Sequence, residues 1–229
     1  MYRRETIEQF LGGLSARTPA PGGGAACALA GATAASLGAM SAVFTTGEKY
    51  QAVEDTTMAI KEQFEKLRDR LLGLADDDAA AFQAVTDARK LPKATPEEKA
   101  ARKAKVDAAM RKATEVPEAI LAAALEGLQL AEKLLPLCNK HLIGDLAVAA
   151  YLFEGAASGA ALQVATNTKD ADSDSAEKDS AARAGEQAVE CQNLRMLIDN
   201  GALSALGIAT DTPMEGGPEG GPPGGKAPL

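Results

Sequence analysis

The sequence predicts an all-α protein, a single-domain bundle of long helices around a central helix of small residues, and three observations predict it. Hydrophobic content is 46% and mostly alanine, aromatic residues make up 3% and tryptophan is absent. That is a profile of closely packed helices rather than of sheet. Apolar residues recur at helical spacing over long stretches. Finally, Thr18 to Phe44 runs without a charged side chain. A chain of 229 residues holds one sizeable domain. We place it at 1–211, followed by a Gly/Pro-rich tail at 212–229 whose composition cannot bury a core and is expected to be disordered.

Ile7, Phe10, Leu11 and Leu14 line one face of a short first helix, which Ser15 to Pro21 ends. Pro19 and Pro21 forbid helix before Gly22, so the central helix begins near Gly24. Ala28, Gly31, Ala35, Gly38 and Ala42 form a seam with almost no side chain, which lets other helices approach closely. A charge-free stretch of this length also suffices to cross a bilayer. Its small residues gain little from lipid and no Lys/Arg cluster flanks it, so the bundle reading is preferred.

A very long helical pattern follows from about Lys49 to Leu91, with a stripe of Ile60, Phe64, Leu67, Leu71, Leu74, Asp78, Phe82 and Val85. Asp76 and Asp77 are free to face water, but the spacing puts Asp78 on the apolar face. A buried acid there needs a partner. Leu91-Pro92 breaks the pattern, and Thr95-Pro96-Glu97-Glu98 starts a new helix with a cap, a first-position proline and acids in the first turn. Its charged face should be solvated, with a break or kink at Val116-Pro117 and a further helix from Ile120 to Leu135. After Pro136 a connection leads to Asp145 and a second alanine-rich helix running to about Thr168, with small residues at Ala149, Ala156, Gly159 and Ala160. Lys169 to Asp179 reads as a loop leading into a last helix that contains Val189, Leu194, Leu197 and Ile198 and ends at Gly201.

The formal net charge of −8 argues against general nucleic-acid binding. Cys27, Cys138 and Cys191 are odd in number and far apart, so they read as buried thiols in a reducing compartment rather than as disulfides or a zinc site. The N-terminus lacks a signal-peptide apolar core, and the expected location is the cytoplasm.

The single histidine, His141, excludes mechanisms that need two imidazoles or a multi-histidine metal site. It lies four residues before Asp145, on the same face if the helix begins that early. Either residue also has a structural reading, Asp145 as an N-cap and His141 as a packed side chain. Lys49 and Tyr50 follow the far end of the central helix, where a lysine also suits terminal carbonyls. Gly22, Gly23 and Gly24 admit two readings, a plain helix start or a cradle of backbone N–H groups for an anion. Carboxylate and ammonium chemistry is what these residues permit.

Together these stretches resemble the formimidoyltetrahydrofolate cyclodeaminase and methenyltetrahydrofolate cyclohydrolase family. Thr18-Pro19-Ala20-Pro21-Gly22-Gly23-Gly24 with its Ala-Leu-Ala-Gly continuation is the most specific element. Lys49-Tyr50-Gln51-Ala52-Val53-Glu54, Asp76-Asp77-Asp78-Ala79-Ala80-Ala81-Phe82, Leu91-Pro92-Lys93, Asn139, Asp145-Leu146-Ala147-Val148-Ala149-Ala150 and Asn167 fit the remaining pattern. The family usually has Gly where this chain has Cys138 and Ser where it has Gly144.

The resemblance implies a folate one-carbon enzyme without metal or redox cofactor, a homodimer binding neither nucleic acid nor membrane. Hydrolysis of 5,10-methenyltetrahydrofolate to 10-formyltetrahydrofolate is the leading expectation, favoured mildly by the lack of a fused formimidoyltransferase domain in these 229 residues. The alternatives are release of ammonia from formimidoyltetrahydrofolate and a non-catalytic folate-binding or scaffold dimer. The implied catalytic set is Asp145 as acid/base, Lys49 tuning it and Asp78 as a competing acid. Pro21, Gly22, Gly23, Gly24, Tyr50, Asn139, His141 and Asn167 are the implied substrate-binding residues.

Overall fold

Two of the described helices start at side-chain capping boxes. The computed structural model describes residues 1–169 and 176–208. Among these lie α1 (Ile7–Leu14), α2 (Gly23–Val43), α3 (Glu54–Arg89), α4 (Pro96–Leu134), α5 (Ile143–Asn167) and α6 (Ala176–Leu206), with 3-10 turns at Tyr2–Arg4 and Glu48–Tyr50. Thr95 and Glu98 form a reciprocal capping box at α4, the Glu98 amide donating to Thr95 Oγ1 and the Thr95 amide to Glu98 Oε2, both at 3.2 Å. Thr6 and Gln9 do the same at α1.

Helix α2 is the core element and packs against α3, α4 and α5. Among the described residues it is the one helix long and apolar enough to cross a bilayer. Ala28, Gly31, Ala35, Gly38 and Ala42 are all buried, as the small-residue seam predicts. The seam's purpose is visible at Gly38, where a Cβ would come within 2.6 Å of the Phe64 ring. Phe64 stacks on Phe153 with centroids 6.4 Å apart, and a Cβ on Gly127 would lie 2.3 Å from Phe153. Four helices thus meet through two rings, each seated on a glycine. Helix α5 runs antiparallel to α2: Gly159 faces Cys27, and Ser41 Oγ donates to the Leu142 carbonyl at 3.5 Å. The two small-residue helices meet in the middle of the bundle, with α6 packed on α4 and α5.

The structure corrects several boundaries. No break occurs at Pro117, since α4 is one helix through it and Ile120 to Leu134 is its second half. A helical proline leaves the carbonyl four residues back without its donor. That carbonyl belongs to Ala113, and Asn167 Nδ2 donates to it at 3.1 Å. Likewise α6 does not end at Gly201; it continues to Leu206 and stops at Gly207, whose φ is +72°. Gly201 instead admits Leu135, whose Cδ2 would lie 2.6 Å from a Cβ there. Helix α3 begins at Glu54, so Lys49 and Tyr50 sit in the 3-10 turn before it. Asp145 is the third residue of α5 and not its cap. On α1 only Phe10 is buried and Leu14 partly so, while Ile7 and Leu11 are exposed. Asp76 does not simply face water, for it accepts from the Tyr2 amide and from Arg3 Nε. Residues 170–175 of the predicted Asp/Ser loop and the predicted tail at 212–229 lie outside the described residues.

Candidate active site

Asp78 stands on the inner stripe of α3 and finds its partner at the N-terminus of α2. The Ala25 N–H donates to Asp78 Oδ2 at 3.1 Å. A Cβ on Gly24 would fall 2.0 Å from Asp78 Oδ1, so only glycine lets the carboxylate so close. Gly23 makes the same allowance for Gln163, whose Nε2 would lie 2.8 Å from a Cβ there. The glycine run therefore both starts a helix and receives a carboxylate, with Asp78 taking one of the first-turn amides. Burial pushes the Asp78 carboxyl above the usual aspartate range, and the Ala25 N–H pulls it back.

A cleft of about 340 Å³ opens on Asp78. The Gly22 to Gly24 loop forms one wall, Phe82 and Arg89 of α3 a second, and Gln163 and Asn167 of α5 a third, with Lys169 at the α5 end. Of the residues predicted to bind substrate, Gly22, Gly23, Gly24 and Asn167 line it, and of the predicted catalytic residues Asp78 does. Pro21 turns away to pack against Gly13, a Cβ on which would lie 3.3 Å from Pro21 Cδ. Asn167 also serves the fold through its bond to Ala113. Arg89 and Gln163 were not predicted. The signals were present: a polar amide in an otherwise small and apolar α5, and an arginine one turn beyond Val85 of the stripe.

The rest of the predicted set lies at the other end of the bundle. Lys49 Nζ sits 5.2 Å from the centroid of the Tyr50 ring, after a turn that requires glycine at Gly47, where φ is +93°. Asn139 ties the connection before α5 to the end of α2: its amide donates to Thr45 Oγ1 and its side chain to the Phe44 carbonyl, both at 2.9 Å. Its Oδ1 accepts from the exposed His141 backbone at 3.1 Å. The connection needs no positive φ at Cys138, and Gly144 has open space where a side chain would point. Asp145 is half-buried in the first turn of α5. The 21 residues of α2, at about 1.5 Å each, separate these groups by roughly 30 Å. One protomer thus divides the predicted residues into two sets.

Cys27, Cys138 and Cys191 are free, with burial raising all three thiols, Cys138 to about 11 and Cys191 to about 12. They are poor nucleophiles at neutral pH. No cluster of three or more His, Cys, Asp or Glu suited to a metal occurs among the described residues.

Comparison with known proteins places these residues in a context. A profile of the formiminotransferase-cyclodeaminase family matches residues 6–186. A methenyltetrahydrofolate cyclohydrolase of Methylorubrum extorquens is 43% identical over 173 residues, covering 75% of this chain and 83% of that one. A formimidoyltransferase-cyclodeaminase of Sus scrofa is 35% identical over 170 residues, and there the match spans only 31% of the longer protein. The crystal structure of a formiminotetrahydrofolate cyclodeaminase from Thermotoga maritima superposes with a TM-score of 0.74 at 26% identity, covering 90% of this chain and 98% of that one.

Proposed function

The chain belongs to the formiminotransferase-cyclodeaminase family, and from that membership we propose that it hydrolyses 5,10-methenyltetrahydrofolate to 10-formyltetrahydrofolate. The observation that carries the reading is the 43% identity to a methenyltetrahydrofolate cyclohydrolase across most of both chains. The cleft supports it chemically. Water must add to a cationic carbon held between N5 and N10, and the tetrahedral adduct must then release N5.

Asp78 is the acid/base in this reading. Its carboxylate takes a proton from water as the oxygen–carbon bond forms, and returns it to N5 as the carbon–N5 bond breaks. The remaining hydroxyl proton leaves to solvent as the formyl carbonyl forms, so one water is consumed and one proton released. The same negative charge faces the amidinium-like cation of the substrate. A carboxyl held above its ordinary range is the stronger base for this task. Phe82 offers an apolar wall, and Arg89 and Lys169 offer cations to the glutamate carboxylates. The proposal needs no metal or redox cofactor, and it places the enzyme in the cytoplasm as a homodimer.

The likeness to a solved cyclodeaminase favours a second reading, in which N10 attacks the N5-formimidoyl carbon and ammonia leaves. Loss of methenyltetrahydrofolate absorbance, measured against the uncatalysed rate with wild type and Asp78→Asn in parallel, tests the first. Acceleration lost in the variant supports it. No acceleration by wild type, with ammonia released from formimidoyltetrahydrofolate, transfers the proposal to the second reaction.

A further inference from the structure

In the second half of α5, Gln163 is the one polar side chain without a hydrogen-bond partner among the described residues. Ser158 donates to Glu154, Thr166 to the Leu162 carbonyl and Asn167 to the Ala113 carbonyl. Thr168, the cap, donates to the Val164 carbonyl. Gln163 is nevertheless half-buried and lines the cleft. Its amide holds two donors and an acceptor oxygen ready for a group that comes from solvent.

Packing fixes where that amide stands. Helices α2 and α5 run antiparallel, with Gly159 seated on Cys27, whose Sγ would lie 2.5 Å from a Cβ there. One turn on in α5 and one turn back in α2, Gln163 meets Gly23. Its Nε2 rests on the glycine and its oxygen is turned off it. The next residue, Gly24, receives Asp78 Oδ1. The Ala25 N–H takes Asp78 Oδ2, which leaves Oδ1 without a partner among the described residues. An idle amide and an idle carboxylate oxygen thus stand against consecutive glycines in one cleft. Asn167, a turn further along α5, lies past the start of α2 and has its amide nitrogen committed to Ala113.

Addition of water makes a demand that this pair meets. Water attacks through a lone pair, so both of its protons must be held away from the carbon. Asp78 takes one of them as base. The other needs an acceptor, and Arg89 and Lys169 of the cleft only donate. We propose that Gln163 commits the cleft to hydrolysis: its amide oxygen holds the attacking water against Asp78, with a lone pair turned to the methenyl carbon. This rests on the folate reading above and adds what selects water as the nucleophile. As the oxygen–carbon bond forms, the carbon–nitrogen π pair returns to nitrogen and one water proton passes to Asp78. The second proton stays on the oxygen, hydrogen-bonded to Gln163, until the formyl carbonyl forms and it leaves to solvent. In deamination the nucleophile is N10 of the substrate itself, which needs no such holder.

Gln163→Leu and Gln163→Glu test the role, with helical circular dichroism as the check on folding. Leucine fills the space and accepts nothing, so kcat for loss of methenyltetrahydrofolate should fall about 10²-fold with KM nearly unchanged. Glutamate keeps an acceptor oxygen at the same reach and should recover most of that loss; it decides alone if the leucine variant does not fold. Full kcat in Gln163→Leu overturns the proposal. So does a raised KM at constant kcat, which makes Gln163 a contact to the body of the substrate. A glutamate variant as slow as the leucine one sinks it as well, because the missing group is then the amide N–H. Where wild type also releases ammonia from formimidoyltetrahydrofolate, Gln163→Leu should spare that rate, and an equal loss in both reactions removes the selection of water. A wild type that hydrolyses no methenyltetrahydrofolate defeats the folate reading and this inference with it, whereas an active wild type beside an equally active Gln163→Leu defeats the inference alone.

Discussion

At the scale of single residues, Asp78 connects stability with chemistry, because its burial and its proximity to α2 act on the same proton. Burial raises its folded-state value above the ordinary 3.8. Ionisation therefore works against folding: the stability tied to the protonated form is complete below the unfolded value and lost as pH rises through the raised one. Asp78→Asn stays neutral and can still accept from Ala25. It should be at least as stable as wild type at pH 7, with the advantage fading near pH 3.8, as denaturant midpoints across pH would show. Its turnover should fall by about 10²- to 10⁴-fold, the usual contribution of a positioned acid/base. The acid limb of the wild-type pH–rate profile should stand above the ordinary carboxylate value. A variant that loses stability instead of turnover would assign Asp78 to the fold. Asn167 carries the opposite balance, for its amide caps the carbonyl that Pro117 strands. Asn167→Ala should lower unfolding free energy by about 1–2 kcal/mol, the effect of a partly buried acceptor left unpaired. In a Pro117→Ala background, where a backbone N–H returns to that carbonyl, the same change should matter less in a double-mutant cycle.

At the scale of elements, local signals and tertiary contacts settle different things. Caps are short-range, so Thr95 announced α4 and the Pro19 to Pro21 stretch announced the start of α2. Pro117 and Gly201 misled because what each does depends on a residue far along the chain, Asn167 for one and Leu135 for the other. The small-residue seam lies between these cases. Its spacing marks a close approach, yet only the fold shows that Gly38 receives Phe64 and Gly127 receives Phe153. Gly38→Ala or Gly127→Ala should improve helix propensity by about 1 kcal/mol. Overpacking against a fully buried ring works against it, at about 1–3 kcal/mol. The ring should prevail, since both phenylalanines are 0% exposed and stacked on one another. Chemical denaturation of either variant decides, and a stabilised Gly38→Ala would show that Phe64 has room to shift.

At the scale of the whole molecule, the sequence named five of the residues that line the cleft, Gly22, Gly23, Gly24, Asp78 and Asn167, but not which of its candidates the fold brings together. Asp78 was legible because an acid interrupts an apolar stripe, and Gly22 to Gly24 because three glycines precede an apolar helix. Arg89 and Gln163 were not named, because the amide in α5 and the arginine one turn beyond Val85, though visible, read equally well as solvated side chains. Charge distribution adds a property that neither motif nor pair of contacts reveals. The chain is formally −8, yet residues 89–112 hold nine lysines and arginines against three acids. This segment runs from the end of α3 through the connection into the first turns of α4, tied by Arg102 Nε donating to the Arg89 carbonyl at 3.0 Å, and Arg89 lines the cleft. A local positive field at the mouth of the cleft, on an otherwise acidic molecule, should draw in the carboxylates of a folate. Raising ionic strength from about 0.01 to 1 M shrinks the screening length from about 30 to 3 Å. Over that range kcat/KM should fall several-fold while kcat holds. Lys93→Glu with Lys99→Glu should lower kcat/KM at low salt and flatten its salt dependence, because both side chains are exposed and neither lines the cleft. A salt profile identical to that of wild type would mean that the substrate arrives by another face of the bundle.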